Sequence, residues 1–214
     1  MDPAGQLFTF DLATKKFQKR ATGPLKVMNP SWSADGRRLL YYQFAVKGDD
    51  ITALSLAQMD LATGKQTPLA AKLNIAKQDA QPEEFRINLG NSQDIIRILA
   101  SASWSPDSTQ LVYGAPQWEN AGIWVAKADG TRSRLVLPQG RHGHDATWSP
   151  DSRAIAFFGS PPVEAPKLPE EGAPPMGPRS PDLDIVSADG TGHRVLWESK
   201  TRGNLAAFGP APRW

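Results

Sequence analysis

The sequence predicts an all-β protein of repeated four-stranded antiparallel units, and three observations carry that reading. A Trp-containing segment recurs three times without gaps. Its copies are Ser31-Trp32-Ser33-Ala34-Asp35-Gly36-Arg37-Arg38-Leu39-Leu40-Tyr41, Ser103-Trp104-Ser105-Pro106-Asp107-Ser108-Thr109-Gln110-Leu111-Val112-Tyr113, and Thr147-Trp148-Ser149-Pro150-Asp151-Ser152-Arg153-Ala154-Ile155-Ala156-Phe157. A second segment, an apolar run closed by Asp-Gly or a similar turn, follows each copy. Trp104 and Trp148 stand 44 residues apart, the length of one four-stranded β-propeller blade.

The elements follow in order. Leu7-Phe8-Thr9-Phe10-Asp11-Leu12-Ala13-Thr14-Lys15 matches the second segment, so residues 6–20 form half a unit. Met1-Asp2-Pro3-Ala4-Gly5 has neither the basic n-region nor the apolar h-region of a signal peptide, and the chain reads as beginning in mid-domain. A first blade spans approximately 31–70 and ends with Ala57-Gln58-Met59-Asp60-Leu61-Ala62-Thr63-Gly64-Lys65. Trp32 and Trp104 are 72 residues apart, about 28 beyond one period, and the excess is an insertion at 71–98. A second blade spans 102–138 around Ile123-Trp124-Val125-Ala126-Lys127-Ala128-Asp129-Gly130-Thr131, and a third spans 146–197 around Asp184-Ile185-Val186-Ser187-Ala188-Asp189-Gly190-Thr191. Within the third, residues 160–182 are rich in Pro, Gly and Glu and predict an irregular insertion. Residues 205–214 repeat the Trp strand with Phe208 in the Trp place, and join 6–20 as a partial blade. One domain of about four blades results. Its incomplete unit leaves an open strand edge. The chain is therefore expected to be a piece of a larger propeller or to self-associate through its ends.

Turn chemistry supports the repeat. Pro at the second turn position presets φ, and Asp35, Asp107 and Asp151 can accept hydrogen bonds from neighbouring amides. Those three carboxylates are read as turn caps rather than a calcium ring, since they fall one per unit. Trp32, Trp104 and Trp148 are read as blade-packing residues because the repeat itself explains them.

The pattern of WSPD, an apolar strand ending in an aromatic, and IWVAKADG resembles the TolB-like, WD-like β-propeller repeat, found also in propeller domains attached to serine peptidases. That resemblance implies a β-propeller fold and a bacterial cell-envelope location, periplasmic or otherwise extracytoplasmic. It does not imply one activity, since such propellers host binding, scaffolding and catalysis.

Composition narrows the classes. With 24 Lys plus Arg against 22 Asp plus Glu the net charge is +2, and no basic cluster points to a nucleic-acid partner. No apolar run reaches the roughly 18 residues of a membrane span. Absent cysteines exclude disulfides, thiolate nucleophiles and Cys-based metal sites. No Gly-x-Ser-x-Gly elbow and no phosphate-cradling loop is present. Glu83-Glu84 and Glu170-Glu171 lie in the insertions and read as surface acids.

One segment carries recognisable chemistry, Arg141-His142-Gly143-His144-Asp145. On a strand, residues two apart share a face, so His142 and His144 could reach one metal while Asp145 points the other way. No third ligand is identifiable, and Arg141, His142, His144 and Asp145 read better as a binding face in a connection between blades. Alternation of strand direction puts this segment and both insertions on one rim, and the tight turns on the other. The function expected is a non-enzymatic protein-interaction scaffold with a protein partner and neither catalytic residues nor a cofactor. The alternatives are the substrate-gating propeller of a serine peptidase and a metal-dependent carbohydrate-active propeller.

Overall fold

The computed structural model describes residues 6–20, 23–47, 50–69, 102–115, 122–137, 142–160 and 182–198. Residues 71–98, the interior of the second insertion and the segment 205–214 lie outside them. The described elements are all strands and form four antiparallel sheets. A hairpin of β1 (Leu7–Asp11) and β2 (Lys16–Arg20) comes first. Three four-stranded meanders follow: β3 (Lys26–Trp32), β4 (Arg38–Lys47), β5 (Asp50–Asp60) and β6 (Gln66–Pro68); β7 (Ala102–Trp104), β8 (Gln110–Ala115), β9 (Gly122–Lys127) and β10 (Arg134–Leu135); β11 (His142–Trp148), β12 (Ala154–Ser160), β13 (Asp182–Ser187) and β14 (Arg194–Trp197). This is the blade architecture of a β-propeller.

Adjacent meanders bury their facing sides against each other. Leu40, Tyr42, Leu54 and Leu56 of the first pack against Trp104, Leu111, Tyr113 and Trp124 of the second. The other face of the second, with Val112, Ile123 and Val125, packs on Trp148, Ile155, Phe157 and Val186 of the third. Leu7 of the hairpin closes a smaller core on Val27, Leu39, Tyr41 and Met59. Each fully buried Leu, Ile or Phe in these seams contributes about 1.5–3 kcal/mol of transfer free energy. A hydrogen-bonded link crosses the first seam: the buried Tyr42 hydroxyl donates to the Gly114 carbonyl at 2.9 Å and accepts the Gly114 N–H at 3.1 Å.

The turns repeat to the atom. In the first, the buried Ser33 hydroxyl donates to Asp35 Oδ1 at 2.6 Å and accepts the Arg38 N–H at 2.9 Å, while Asp35 accepts the Arg37 N–H. Ser105 with Asp107, and Ser149 with Asp151, repeat this at the same 2.6 Å. The fourth turn position takes a left-handed backbone, at Gly36 (φ 68), Ser108 (φ 59) and Ser152 (φ 61), where glycine is the unstrained residue. The second set of turns is tied to the first. Leu61 N–H donates to Arg37 O at 2.9 Å, Ala128 to Thr109 at 3.0 Å and Ala188 to Arg153 at 2.7 Å.

Two expectations need correction. Trp104 and Trp148 are 5% exposed, but Trp32 is 55% exposed. Trp104 is roofed by Arg38, whose guanidinium lies 4.3 Å from the ring centroid and comes from the second strand of the preceding sheet. The sheet preceding Trp32 has only β1 and β2 among the described residues, so no equivalent second strand covers it. In addition, β11 begins at His142, so His142, His144 and Asp145 belong to a strand rather than a connection.

Replacing Trp104 or Trp148 by Ala is expected to cost about 3–5 kcal/mol in chemical denaturation, as for other emptied aromatic sites. Trp32→Ala should fall within the roughly 0.5 kcal/mol typical of surface changes. Equal losses at all three positions would contradict the seam assignment. Tyr42→Phe should cost about 1–3 kcal/mol, because it strands the buried Gly114 amide and carbonyl.

Acid should loosen the turns. Hydrogen bonds from Ser33, Ser105 and Ser149 hold the carboxyls of Asp35, Asp107 and Asp151 below the usual range, and those from Thr63, Thr131 and Thr191 do the same for Asp60, Asp129 and Asp189. A carboxyl with a lowered folded-state value contributes stability above its unfolded value and loses it as pH falls through the folded one. Thermal unfolding should therefore be insensitive to these groups at neutral pH and weaken below about pH 4, where free Asp protonates. A melting temperature unchanged down to about pH 2, below the free Asp value, would show that the turns do not depend on the ionised form.

Candidate functional site

Antiparallel order divides each meander into two ends. One holds the tied turns, which also touch across the seams: Asp107 N–H donates to Ser152 Oγ at 3.1 Å, and the Arg134 guanidinium donates to Ala188 O. The other holds the described ends at Leu69 and Ala102, Leu137 and His142, and Ser160 and Asp182. Residues 70–101 and 161–181, between these ends, lie outside the described residues.

At this rim lies the first half of β11. His144 Nδ1 is 3.0 Å from Asp145 Oδ2, both side chains are mostly buried, and the imidazole packs on Phe158 with centroids 5.8 Å apart. Simple alternation predicted that Asp145 would point away from His144; it lies beside it. The cause is local. The register of β11 against β12 shifts between His144 and Thr147, and Asp145 has φ 54. The first meander carries the same device, a shift between Met28 and Ser31 with Asn29 at φ 51. Asn and Asp tolerate this left-handed conformation better than other non-glycine residues. The signal was present in sequence as Asn29-Pro30-Ser31-Trp32 beside Asp145-Ala146-Thr147-Trp148, an Asx three residues before the Trp. Arg141 and the side chain of His142 lie outside the described residues, and His142 is placed only by its register opposite Ser160. No group of three or more His, Cys, Asp or Glu suited to a metal ion occurs among the described residues.

A second acid–imidazole pair went unrecognised in the sequence. Asp184 on β13 is fully buried, with Oδ2 3.0 Å from His193 Nε2, and the His193 ring lies 6.1 Å from that of Phe157. Asp184 pairs with Phe157 in register, as Trp124 does with Tyr113 and Ala57 with Tyr41. In the first meander the Tyr41 hydroxyl meets Gln66 at 3.2 Å instead. A polar group buried at this level is thus met by a residue entering the last strand, Gln66 or His193. The third meander has exchanged the tyrosine hydroxyl for a carboxylate. Room for it comes from Gly159, where a Cβ would stand 2.2 Å from Asp184 Oδ2. Burying a carboxylate is costly unless it is hydrogen-bonded, so this pair is read first as a seam element that holds β13 to β14. Phe157, opposite Asp184, lies in the second seam.

Comparison with solved structures gives the fold. TolB of Agrobacterium tumefaciens superposes with TM-score 0.52 at 15% identity, over 85% of this chain and 52% of that one. Oligogalacturonate lyase in complex with manganese superposes with TM-score 0.56 at 17% identity, over 92% and 48%. The tricorn protease does so with TM-score 0.53 at 13% identity, over 85% of this chain and 15% of its own. The chain spans about half the length of the first two. No family model and no curated protein sequence matches it.

Two variants test the local geometry. Asp145→Asn keeps a residue suited to φ 54, whereas Asp145→Ala should cost about 1–2 kcal/mol, the penalty of left-handed backbone for an ordinary residue. Denaturation midpoints that fail to separate them would remove the conformational role. Gly159→Ala should destabilise by about 1–3 kcal/mol through overpacking. The loss should shrink in the Asp184→Ala background, where the clashing carboxylate is gone.

Proposed function

From this β-propeller fold of TolB-like blades, we propose that the chain is a protein-binding scaffold that catalyses no reaction and works outside the cytoplasm. The observation that carries the reading is the division between rims. Every described turn on one end is tight, repeated and closed by its own hydrogen bonds. At the other end stand the described residues Leu69, Ala102, Ser160 and Asp182, which flank the two insertions, together with the His144–Asp145 pair. Loops placed by a rigid sheet are where binding sites concentrate, and long connections within a compact domain are commonly functional. We place Arg141, His142, His144 and Asp145 in this binding face.

The partner is a protein rather than a nucleic acid, since net charge is near balance and the phosphate backbone demands clustered Lys and Arg. No helix long and apolar enough to cross a membrane occurs among the described residues. The extracytoplasmic location rests on the resemblance of the repeat to TolB-like blades.

Two shortened chains test the reading, one lacking residues 78–91 and one lacking 164–179. A partner is first identified by cross-linking in the native envelope. Isothermal titration with that purified partner should then show at least one deletion weakening binding about tenfold, or 1.4 kcal/mol. If both bind as tightly as the parent, this rim is not the working surface. Turnover of polygalacturonate or of peptide substrates by the purified chain would overturn the non-enzymatic reading.

A further inference from the structure

Among the described residues, the four sheets end in outer strands whose edges are treated differently. Natural sheets blunt exposed edges with charge, proline or brevity, because an open row of N–H and C=O groups recruits another strand. β2 has the sequence Lys-Phe-Gln-Lys-Arg, with three cations in five residues. β6 is three residues long and contains Pro68, while β10 has only two, Arg134 and Leu135. β14 departs from all of these. It reads Arg-Val-Leu-Trp, and Val195, Leu196 and Trp197 are 43%, 51% and 57% exposed.

The residues along this edge are complementary to themselves. Arg194, Val195, Leu196, Trp197 and Glu198 run from a cation through three apolar residues to an anion. Paired antiparallel with a second copy about Leu196, the strand sets Leu196 opposite Leu196 of the second copy. Val195 and Trp197 then face each other twice, and Arg194 meets Glu198 twice. Aromatic with β-branched and cation with anion are the favourable cross-strand pairs of an antiparallel ladder. A parallel or shifted pairing loses the charge match. On β14 itself the register against β13 shifts beside Leu183 and Asp184, and Leu196 falls at that shift. The adjoining Asp184–His193 contact holds the start of β14 against β13.

We propose that β14 is a homotypic docking edge: two copies of the chain associate through antiparallel pairing of residues 194–198, joining their third blades into one eight-stranded sheet. The two-fold axis passes at Leu196, so the interface is isologous and closed, and its growth stops at the dimer. The pairing runs along the outer edge of the third blade, from Arg194 at the end of the tied turns to Trp197 beside Leu183 at the other end.

Sedimentation velocity on the whole chain across the micromolar range tests it, with circular dichroism confirming that each variant keeps its β-sheet. The parent should show a reversible, concentration-dependent dimer. Leu196→Lys should weaken association at least about tenfold, which is 1.4 kcal/mol. Arg194→Glu sets a carboxylate opposite Glu198 at each end of the pairing and should weaken it as well; the double variant Arg194→Glu, Glu198→Arg restores the pairing and should recover the dimer. A parent that stays monomeric overturns the proposal. So does a dimer indifferent to both Leu196→Lys and Arg194→Glu, which would place the contact elsewhere, as at the exposed Phe8, Phe10 and Phe17 of the first hairpin. Failure of the double variant to recover association would overturn the antiparallel register.

Discussion

A four-stranded meander of this kind has two apolar faces and can bury neither alone. Everything else in the structure depends on that constraint. The first core joins Leu40 and Tyr42 to Trp104 and Tyr113, and the second joins Val112 and Ile123 to Phe157 and Trp148. The stable unit is therefore the seam rather than the sheet, and stability accumulates between neighbours as in other repeat architectures. Trp32 shows what a seam requires. It occupies the same place in the repeat as Trp104, yet stands exposed, the sheet before it having only two strands among the described residues.

The turns solve a different problem. Each reversal leaves backbone amides that need acceptors, and the repeat answers with one buried serine and one exposed aspartate. Ser33, Ser105 and Ser149 bridge the carboxylate to the amide five residues on from the serine. The carboxylates are thus committed to the backbone, which is why their ionisation is a matter of turn integrity rather than of chemistry on a ligand. Main-chain bonds from Leu61, Ala128 and Ala188 then lock the two turns of each blade together. One rim is closed by these contacts, and variation is left to the other.

The two acid–imidazole pairs of the third blade illustrate how one repeat position diverges. Asp145 inherits a left-handed bulge position that Asn29 fills in the first blade, and its carboxylate reaches His144 as a consequence. Asp184 replaces Ala57 and Trp124 at a position opposite an aromatic residue, and survives burial because His193 meets it and Gly159 makes space. Both pairs are products of substitution on a fixed frame, one facing the rim and one facing the seam.

Periodicity made the architecture legible. The Trp segments, the Asp-Gly turns and the 44-residue spacing determine four-stranded blades, since each rests on local turn chemistry and on alternation along single strands. The aspartate caps were legible for the same reason: donor and acceptor lie within two or three residues. Tertiary structure decided the rest. Exposure of Trp32 depends on a neighbouring sheet that nothing within its own segment encodes. The contact of His144 with Asp145 depends on a bulge that breaks the alternation from which their opposite orientation was inferred. Asp184 and His193 are nine residues apart, joined only because β13 turns back into β14, and Asp184 passed as an unremarkable member of a strand. Pairings carried by the chain's local period can be read in order along it, whereas those made across a seam or a shifted register exist only once the blades are packed.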